Sequence, residues 1–496
     1  MTDAAPPGDN SGWRPAHNPW LIAVVVTLAA FMEVLDTTIV NVALPHIAGS
    51  LSVSYDQATW ALTSYLVSNS IVLPISGFLG RLLGRKRYFV ICIAAFTICS
   101  FLCGIATNMA ELIVFRILQG FFGGGLQPNQ QSIVLDTFPP AQRGRAFSLT
   151  AIATVVAPVL GPTVGGWITD SYSWRWIFFI NVPIGVLTTF AVMSLVEDPP
   201  WVQKAKKSSI DYIGISLITL TFASFQIMLD RGEDADWFAS GFVRTFATLA
   251  AVGAAGACGW LLYTRNPVVD LRVLKDRNFA LGCLAISFFA MILYGSAVLI
   301  PQLAQQHLGY TALLAGLVLS PGALAIICLI PFVTLAMPHV QTRYLLTAGF
   351  LVLGFSLLYS RTLSPDIDFF HLMMLRIAQA LGIGFLFVPA SVLTYQTIAP
   401  RLQGDATALF TMFRNVAGSV FRDTLARATA AIKGLATVGG NATQAAMAQI
   451  ERTLIAQAGF LAYMDVFLYC AMLAFAFVPL TFLFSPVKAT RKVGGE

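Results

Sequence analysis

The sequence predicts an all-α polytopic membrane protein, and three observations carry that expectation. The chain has 496 residues, of which 57% are hydrophobic and only 11% are Asp, Glu, Lys or Arg, less than half the charged share of an ordinary soluble domain. Its mean hydropathy is +0.74, and a water-soluble protein of this size could not cover its surface with so few charges. Apolar runs long enough to cross a bilayer, about 20 residues each, recur along nearly the whole chain, which also excludes disorder and fibrous repeats. The net charge of +6 acquires meaning only from where the charges fall.

Taken in order, spans are expected near 20–42, 58–79, 88–107, 112–133, 147–169, 175–196, 211–229, 243–263, 279–300, 312–334, 343–360, 369–392, 405–428 and 461–484, fourteen in all. The polar stretch 1–19 lacks the basic lead of a secretory signal, and the first span carries Glu33 and Asp36, so it is expected to be a permanent helix. The thirteenth is the most charged, with Arg414, Arg422, Asp423 and Arg427. The stretch 429–460, polar and Ala-rich, is expected to be an external loop with some amphipathic helix.

Lys and Arg set the orientation. With the N-terminus inside, nineteen fall in inner loops and tails, seven in outer loops or at an outer helix end, and four (Arg116, Arg376, Arg414, Arg422) within spans. That bias places both termini in the cytoplasm and explains the net charge as topology, with no need for an acidic partner. The seven cysteines all sit in apolar runs without CxxC spacing, so neither a disulfide framework nor a metal site is expected. There is no GxxxxGK[ST], HExxH or GxSxG, so no enzyme signature is present and no direct use of ATP is expected.

An internal repeat organises the spans. Span four contains Arg116-x-x-Gln119-Gly120, and span twelve contains Arg376-x-x-Gln379-Ala380. An arginine inside a membrane helix is costly and rare, so two in equivalent positions point to a parallel repeat of two six-helix halves, with spans seven and eight as an extra hairpin between them. The expected parts are a cytoplasmic tail 1–19, a first bundle 20–196, a basic linker and inserted pair 197–264, a second bundle 265–484 and a cytoplasmic tail 485–496.

Several blocks then become recognisable: Phe31 to Pro45, with Glu33, Asp36 and Asn41; Gly77-Phe-Leu-Gly-Arg81-Leu-Leu-Gly84-Arg85-Lys86; Gly161-Pro162-Thr-Val-Gly165-Gly166; Trp176-Ile-Phe-Phe-Ile-Asn181-Val-Pro-Ile-Gly185; Ile227 to Gly232; and Pro267 to Leu271. In this order, over roughly residues 18–425, the sequence resembles the major facilitator superfamily, specifically its fourteen-helix drug:proton antiporter branch of EmrB-like multidrug efflux subunits. The resemblance implies the major facilitator fold, proton-coupled export of lipophilic or amphipathic drugs from a bacterial cytoplasmic (inner) membrane, a proton gradient rather than a cofactor as energy source, and two partners: an EmrA-like periplasmic adaptor and a TolC-like outer-membrane channel. Two other readings stand beside it: a stand-alone exporter of one natural product or fatty acid, and a non-transporting membrane sensor on the same fold.

Glu33 and Asp36 lie three residues apart and share a helix face. Carboxylates in a membrane span are functional by default; these are either carriers of a coupling proton or static partners of an arginine. Arg116 lies at a similar depth, on the order of 8 to 12 Å below the outer surface at 1.5 Å per residue, and is the natural counter-ion. Expected substrate-path residues are Asn41, Ser64, Asn69, Gln127, Asn129 and Gln130, with the aromatics Trp60, Tyr65, Phe288, Phe289 and Tyr294, which serve equally as packing. The loop from Gly77 through Arg81, Gly84, Arg85 and Lys86 is an expected gate. The family usually has Asp where this chain has Arg81, so the familiar acidic contact cannot be made as drawn. Pro158, Gly161, Pro162, Gly165 and Gly166 should give span five a kinked face that packs closely; by resemblance this block marks exporters. Asp230 and Arg231 read as outer-end snorkelling groups.

Overall fold

The computed structural model describes residues 15–199, 210–232, 237–264, 266–306, 308–310, 312–363, 367–417 and 464–485. Among the described residues the regular structure is entirely helical. Among the described residues eleven helices are long and apolar enough to cross a membrane, and the bent fifth span makes a twelfth. The remaining two expected spans fall on Arg277–Gln306, whose 277–293 part is a shorter apolar helix, and on a helix over 403–417, beyond which the chain lies outside the described residues. Arg422, Asp423, Arg427, the stretch 429–460 and the linker lysines 204, 206 and 207 lie outside as well.

Local chemistry sets the helix ends. The first span, Pro19–Ser50, starts where the Asn18 side chain accepts from the Trp20 N–H at 2.9 Å with Pro19 in the first turn, a position whose N–H needs no partner. It runs eight residues past its expected end. The second, Trp60–Leu83, follows a short helix, Tyr55–Ala58, capped reciprocally by Ser54 and Gln57. Gly84, at φ +88°, makes the turn into the third, Arg85–Ile105, in a backbone region that favours glycine. The fourth is broken into Met109–Gly123 and Leu126–Thr137. At the break it lies directly on span two: a Cβ on Gly120 would stand 2.4 Å from the Tyr65 carbonyl oxygen, and one on Gly124 2.7 Å from that of Asn69.

Span five, Pro140–Ser171, bends by 46° between Pro158 and Thr163, where the sequence places its prolines and glycines. Span six comprises Trp176–Phe179 and Asn181–Leu195. Spans seven and eight, Tyr212–Gly232 and Gly241–Tyr263, pair with each other, and span seven packs on span two. Arg277–Gln306, Ala312–Ala336, Thr342–Ser360, the broken pair Phe369–Gly384 and Phe387–Tyr395, the helix 403–417 and Met464–Thr481 complete the second half. Span ten stays helical through Pro331 to Ala336, and a short turn leads into span eleven at Thr342.

The packing is that of two six-helix bundles with an inserted pair. In the first half, span one packs on span five and span four joins spans two and three; in the second, span twelve packs on spans ten and eleven. Span five crosses between the halves and touches spans nine, ten and twelve. Outward residues are large and apolar, such as Leu187, Phe190 and Phe332, as a lipid-facing surface requires.

Candidate functional site

The two acids of span one end in separate, touching polar networks. Asp36 is fully buried and ion-paired, with Arg116 Nη1 2.6 Å from its Oδ2. Its other oxygen accepts from Gln119 Nε2 at 3.1 Å and Asn181 Nδ2 at 2.9 Å. Arg116 in turn donates from Nη1 to Gln119 Oε1 at 2.8 Å and from Nε to the Ala61 carbonyl at 2.9 Å, and its guanidinium lies 4.1 Å over the Tyr65 ring. These contacts offset part of the cost of burying two charges; Arg116 Nη2 is left without a hydrogen-bond partner. Asn181 is itself held by Ser100 Oγ at 3.1 Å. The broken start of span six aims it there.

Glu33, one turn earlier, is 3% exposed and accepts from neutral donors only: Tyr65 Oη at 3.2 Å, Asn69 Nδ2 at 3.1 Å, and Gln127 Nε2. The glycine contacts of span four on span two bring these donors to one point. Gln130 donates to Thr150 Oγ1 at 2.8 Å and Thr27 Oγ1 at 3.3 Å. Beside this cluster, Gln127, Gln130, Gln131, Thr150, Thr154 and Arg414 line a cavity of about 10 Å³, close to the least space a water molecule needs.

The structure does not bring the other expected substrate residues to this point. Asn41 is exposed and bonds its own helix at the Thr37 carbonyl. Trp60 lies 4.3 Å under the Arg231 guanidinium, and Thr63 donates to Asp230. Asp230 and Arg231 therefore fasten the hairpin to span two instead of reaching for water. Ser64 is buried with no partner for its Oγ. Phe288 packs on Phe477 and Phe289 on Phe387 in the second half. The Tyr294 and Pro162 side chains lie outside the described residues. Asn129 donates to the Arg85 carbonyl at 3.0 Å and belongs with the loop below.

At the end of the bundle bearing the Gly77–Lys86 loop, the halves meet. Arg81 Nη1 stands 2.5 Å from Asp405 Oδ1 on the helix 403–417. A Cβ on Gly77 would fall 2.6 Å from the Gly404 carbonyl oxygen, so glycine is what allows this approach. Ser132 shares a 2.7 Å bond with Thr407, and Tyr395 Oη donates to Gln131 Oε1 at 2.8 Å. Arg85 pairs with Asp136, and the Lys86 N–H donates to Asp198 at 2.8 Å. The contact thought impossible with Arg81 is made with its polarity reversed: the cation sits on the loop and the acid on the opposite half. Asp405, Asp136 and Asp198 were missed in the sequence, although an unmatched basic cluster at helix ends signals that acids must face it.

In span five, a Cβ on Gly161 would collide with Thr38 Oγ1 at 2.1 Å and one on Gly165 would reach the Ile39 carbonyl oxygen at 3.2 Å. The expected small-residue face thus lies against the turn of span one that follows Asp36. Gly166 makes only loose contact with Val42, and Pro158 stands at the bend. In the second half Arg376 is buried and donates to Ser296 Oγ at 2.8 Å, and Arg414 is buried against its neighbour Asn415. Neither has an acidic partner among the described residues. The described residues hold no cluster of His, Cys, Asp and Glu able to bind a metal.

The two-bundle architecture agrees with comparison to known proteins. The fatty acid resistance protein FarB of Neisseria gonorrhoeae is 38% identical over 399 residues, covering 80% of this chain and 78% of that protein. The multidrug export protein EmrB of Haemophilus influenzae is 39% identical over 404 residues, covering 81% and 78%. In fold, the chain is similar to the crystal structure of the human organic anion transporter MFSD10 (TETRAN), with a TM-score of 0.59 at 13% identity, over 92% of this chain and 100% of that one. The Major Facilitator Superfamily profile matches residues 26–421, and the chain belongs to that superfamily.

Proposed function

We propose that the protein is a proton-driven exporter of lipophilic or amphipathic small molecules, with Asp36 carrying the coupling proton and Arg116 its conditional partner. The observation that carries this is the fully buried Asp36–Arg116 pair. Neutralising one partner of such a pair strands the other charge, at about 3–5 kcal/mol. A proton arriving on Asp36 is therefore tolerated only if the surrounding helices shift to give Arg116 another environment, which ties protonation to conformation. The tight seat of span five on span one beside Asp36 gives that shift a route into the helix that contacts the second half.

By the Lys and Arg bias the loop at Arg81 faces the cytoplasm, both termini are cytoplasmic, and the state described here is closed on that side. The membrane is then a bacterial cytoplasmic one. The resemblance to EmrB-like efflux subunits puts forward an EmrA-like adaptor and a TolC-like outer channel as partners, with the proton gradient and no cofactor as the energy source. A second reading has a specific support: the name of FarB favours fatty acids as substrates. Nothing observed favours a non-transporting sensor over transport.

The test is uptake into inverted membrane vesicles energised by a proton gradient, with a panel of lipophilic cations, neutral drugs and fatty acids, wild type beside Asp36→Asn. Gradient-dependent uptake lost in the variant is expected. Uptake that persists in Asp36→Asn removes Asp36 from the coupling role, and the absence of any uptake by wild type sinks the exporter reading.

A further inference from the structure

Three residues lining the small cavity beside Glu33 each carry a buried polar atom with no hydrogen-bond partner: Gln127 Oε1, Gln130 Oε1 and Arg414 Nη2. Folded proteins leave few such groups unpaired. Two acceptors and one cationic donor around one void suit an uncharged group that both donates and accepts. Gln130 is free to present either end, since its partners Thr27 and Thr150 are hydroxyls that donate or accept.

Gln127 has no such freedom. An ionised carboxylate only accepts, so the Gln127 nitrogen must face Glu33 Oε2 and its oxygen is left to the cavity. Glu33 Oε1 already receives two donors, from Tyr65 and Asn69, whereas Oε2 receives Gln127 alone. Oε2 is thus the oxygen able to take a proton. Once it does, its O–H meets the Gln127 N–H donor to donor. A half-turn about the last, soft torsion of the glutamine side chain brings Oε1 to the new O–H and turns the NH₂ group into the cavity.

We infer that Gln127 relays the protonation state of Glu33 to a polar-head subsite formed with Gln130 and Arg414, showing the substrate an acceptor when Glu33 is ionised and a donor when it is protonated. The subsite takes an uncharged donor–acceptor group, such as a hydroxyl, phenol or amide, at the head of an apolar molecule. It offers that group's donor two acceptors while Glu33 is ionised and only Gln130 once Glu33 is protonated, so it binds the group less tightly when protonated, the direction an antiporter requires. The inference deepens the exporter reading and rests on it for its biological sense. The other charged or titratable groups around Glu33 are Asp36 on its own helix, Tyr65 from span two, Arg116 from span four and Arg414 from the second half. Asp36 is separated experimentally by working in the Asp36→Asn background as well as in wild type.

The test is infrared difference spectroscopy of purified protein through a pH titration, with the glutamine side-chain carbonyls carbon-13 labelled. In wild type a glutamine amide band should shift with the same midpoint as a carboxyl band. Both should vanish in Glu33→Gln, while Gln127→Met should lose the amide band and keep the carboxyl band. A Glu33 carboxyl that titrates with no glutamine response, in wild type alone and so regardless of how the variants fold, overturns the relay. As a second readout, a tritiated apolar phenol should bind about tenfold more tightly above that midpoint than below it, the equivalent of one hydrogen bond of about 1.4 kcal/mol. Its methyl ether should show no such dependence; equal pH dependence for phenol and ether overturns the subsite. Neither readout needs net transport, so a failure here leaves the vesicle assay to judge the exporter reading, and a failed vesicle assay leaves this result standing.

Discussion

Breaking the Arg81–Asp405 bridge should open the loop end of the molecule by an amount that depends on which partner is removed. Asp405 is 3% exposed and Arg81 25%. An exposed pair is worth about 0.2–1 kcal/mol, and stranding a buried charge costs about 3–5 kcal/mol. Asp405→Asn leaves a cation that can turn toward water, so it should cost about 1 kcal/mol. Arg81→Gln leaves a carboxylate enclosed against Gly77 and Gly404, and nearby Arg85 is engaged by Asp136, so it should cost about 3 kcal/mol. The population with the loop end open should rise about 5-fold and about 150-fold respectively. The assay is the alkylation rate of a cysteine placed at Ser132, which is buried against Thr407 across the same contact, with exposed Cys258 and Cys328 replaced by alanine. The exchange Arg81→Asp with Asp405→Arg should return the rate toward wild type. Equal rates for the two single variants, or an exchange as fast as Arg81→Gln, would refute the bridge as the latch.

Gly120→Ala places a methyl 2.4 Å from the Tyr65 backbone oxygen, which cannot move aside alone; an overpacking cost of about 1–3 kcal/mol should appear as a lower melting temperature in detergent. Gly166→Ala, with only Val42 at 3.9 Å, should melt with wild type. Asn181→Ala removes one donor to the Asp36 carboxylate, worth about 1.5–3 kcal/mol for a charged acceptor, and should cut gradient-driven uptake by about tenfold to a hundredfold in vesicles without abolishing it. Trp60→Ala removes the face on which Arg231 rests, about 0.5–1 kcal/mol, and should speed proteolysis within the inserted hairpin while leaving uptake near wild type.

The fold was legible because membrane burial is encoded in composition. Long apolar runs mark spans, and Arg116 and Arg376 mark the repeat whatever the packing. Asp36 and Arg116 were also legible, since an intramembrane charge needs a partner and the two lie at similar depth. What pairwise depth could not give was lateral position. Asn41, Phe288 and Phe289 are polar or aromatic residues in plausible spans, but helix rotation turns Asn41 outward and the phenylalanines into packing within the second half. Conversely Asn181 and Gln119 sat in recognised motifs without an assigned task, because their amides matter only once Asp36 is known to offer a second oxygen. The sign at Arg81 was read as a lost contact for the same reason: its acid, Asp405, lies 324 residues away.

The repeat preserves a scaffold and not its charge. Arg116 and Arg376 occupy equivalent places, yet the first faces Asp36 and the second only the hydroxyl of Ser296. Arginine does not discharge in a protein, so the buried cations of the second half, Arg376 and Arg414, keep their charge throughout any cycle. The first half holds Glu33 and Asp36 beside Arg116, and under the proposed coupling it is the half whose charge would change as protons bind. With both acids ionised it carries one buried negative charge in excess and attracts the cationic half facing it; each proton taken up weakens that attraction. A proton bound near the middle of span one is therefore felt at the seam between the halves, at the low effective dielectric of a buried interior. A transporter built from two structurally similar bundles can for this reason be driven by titrating only one of them.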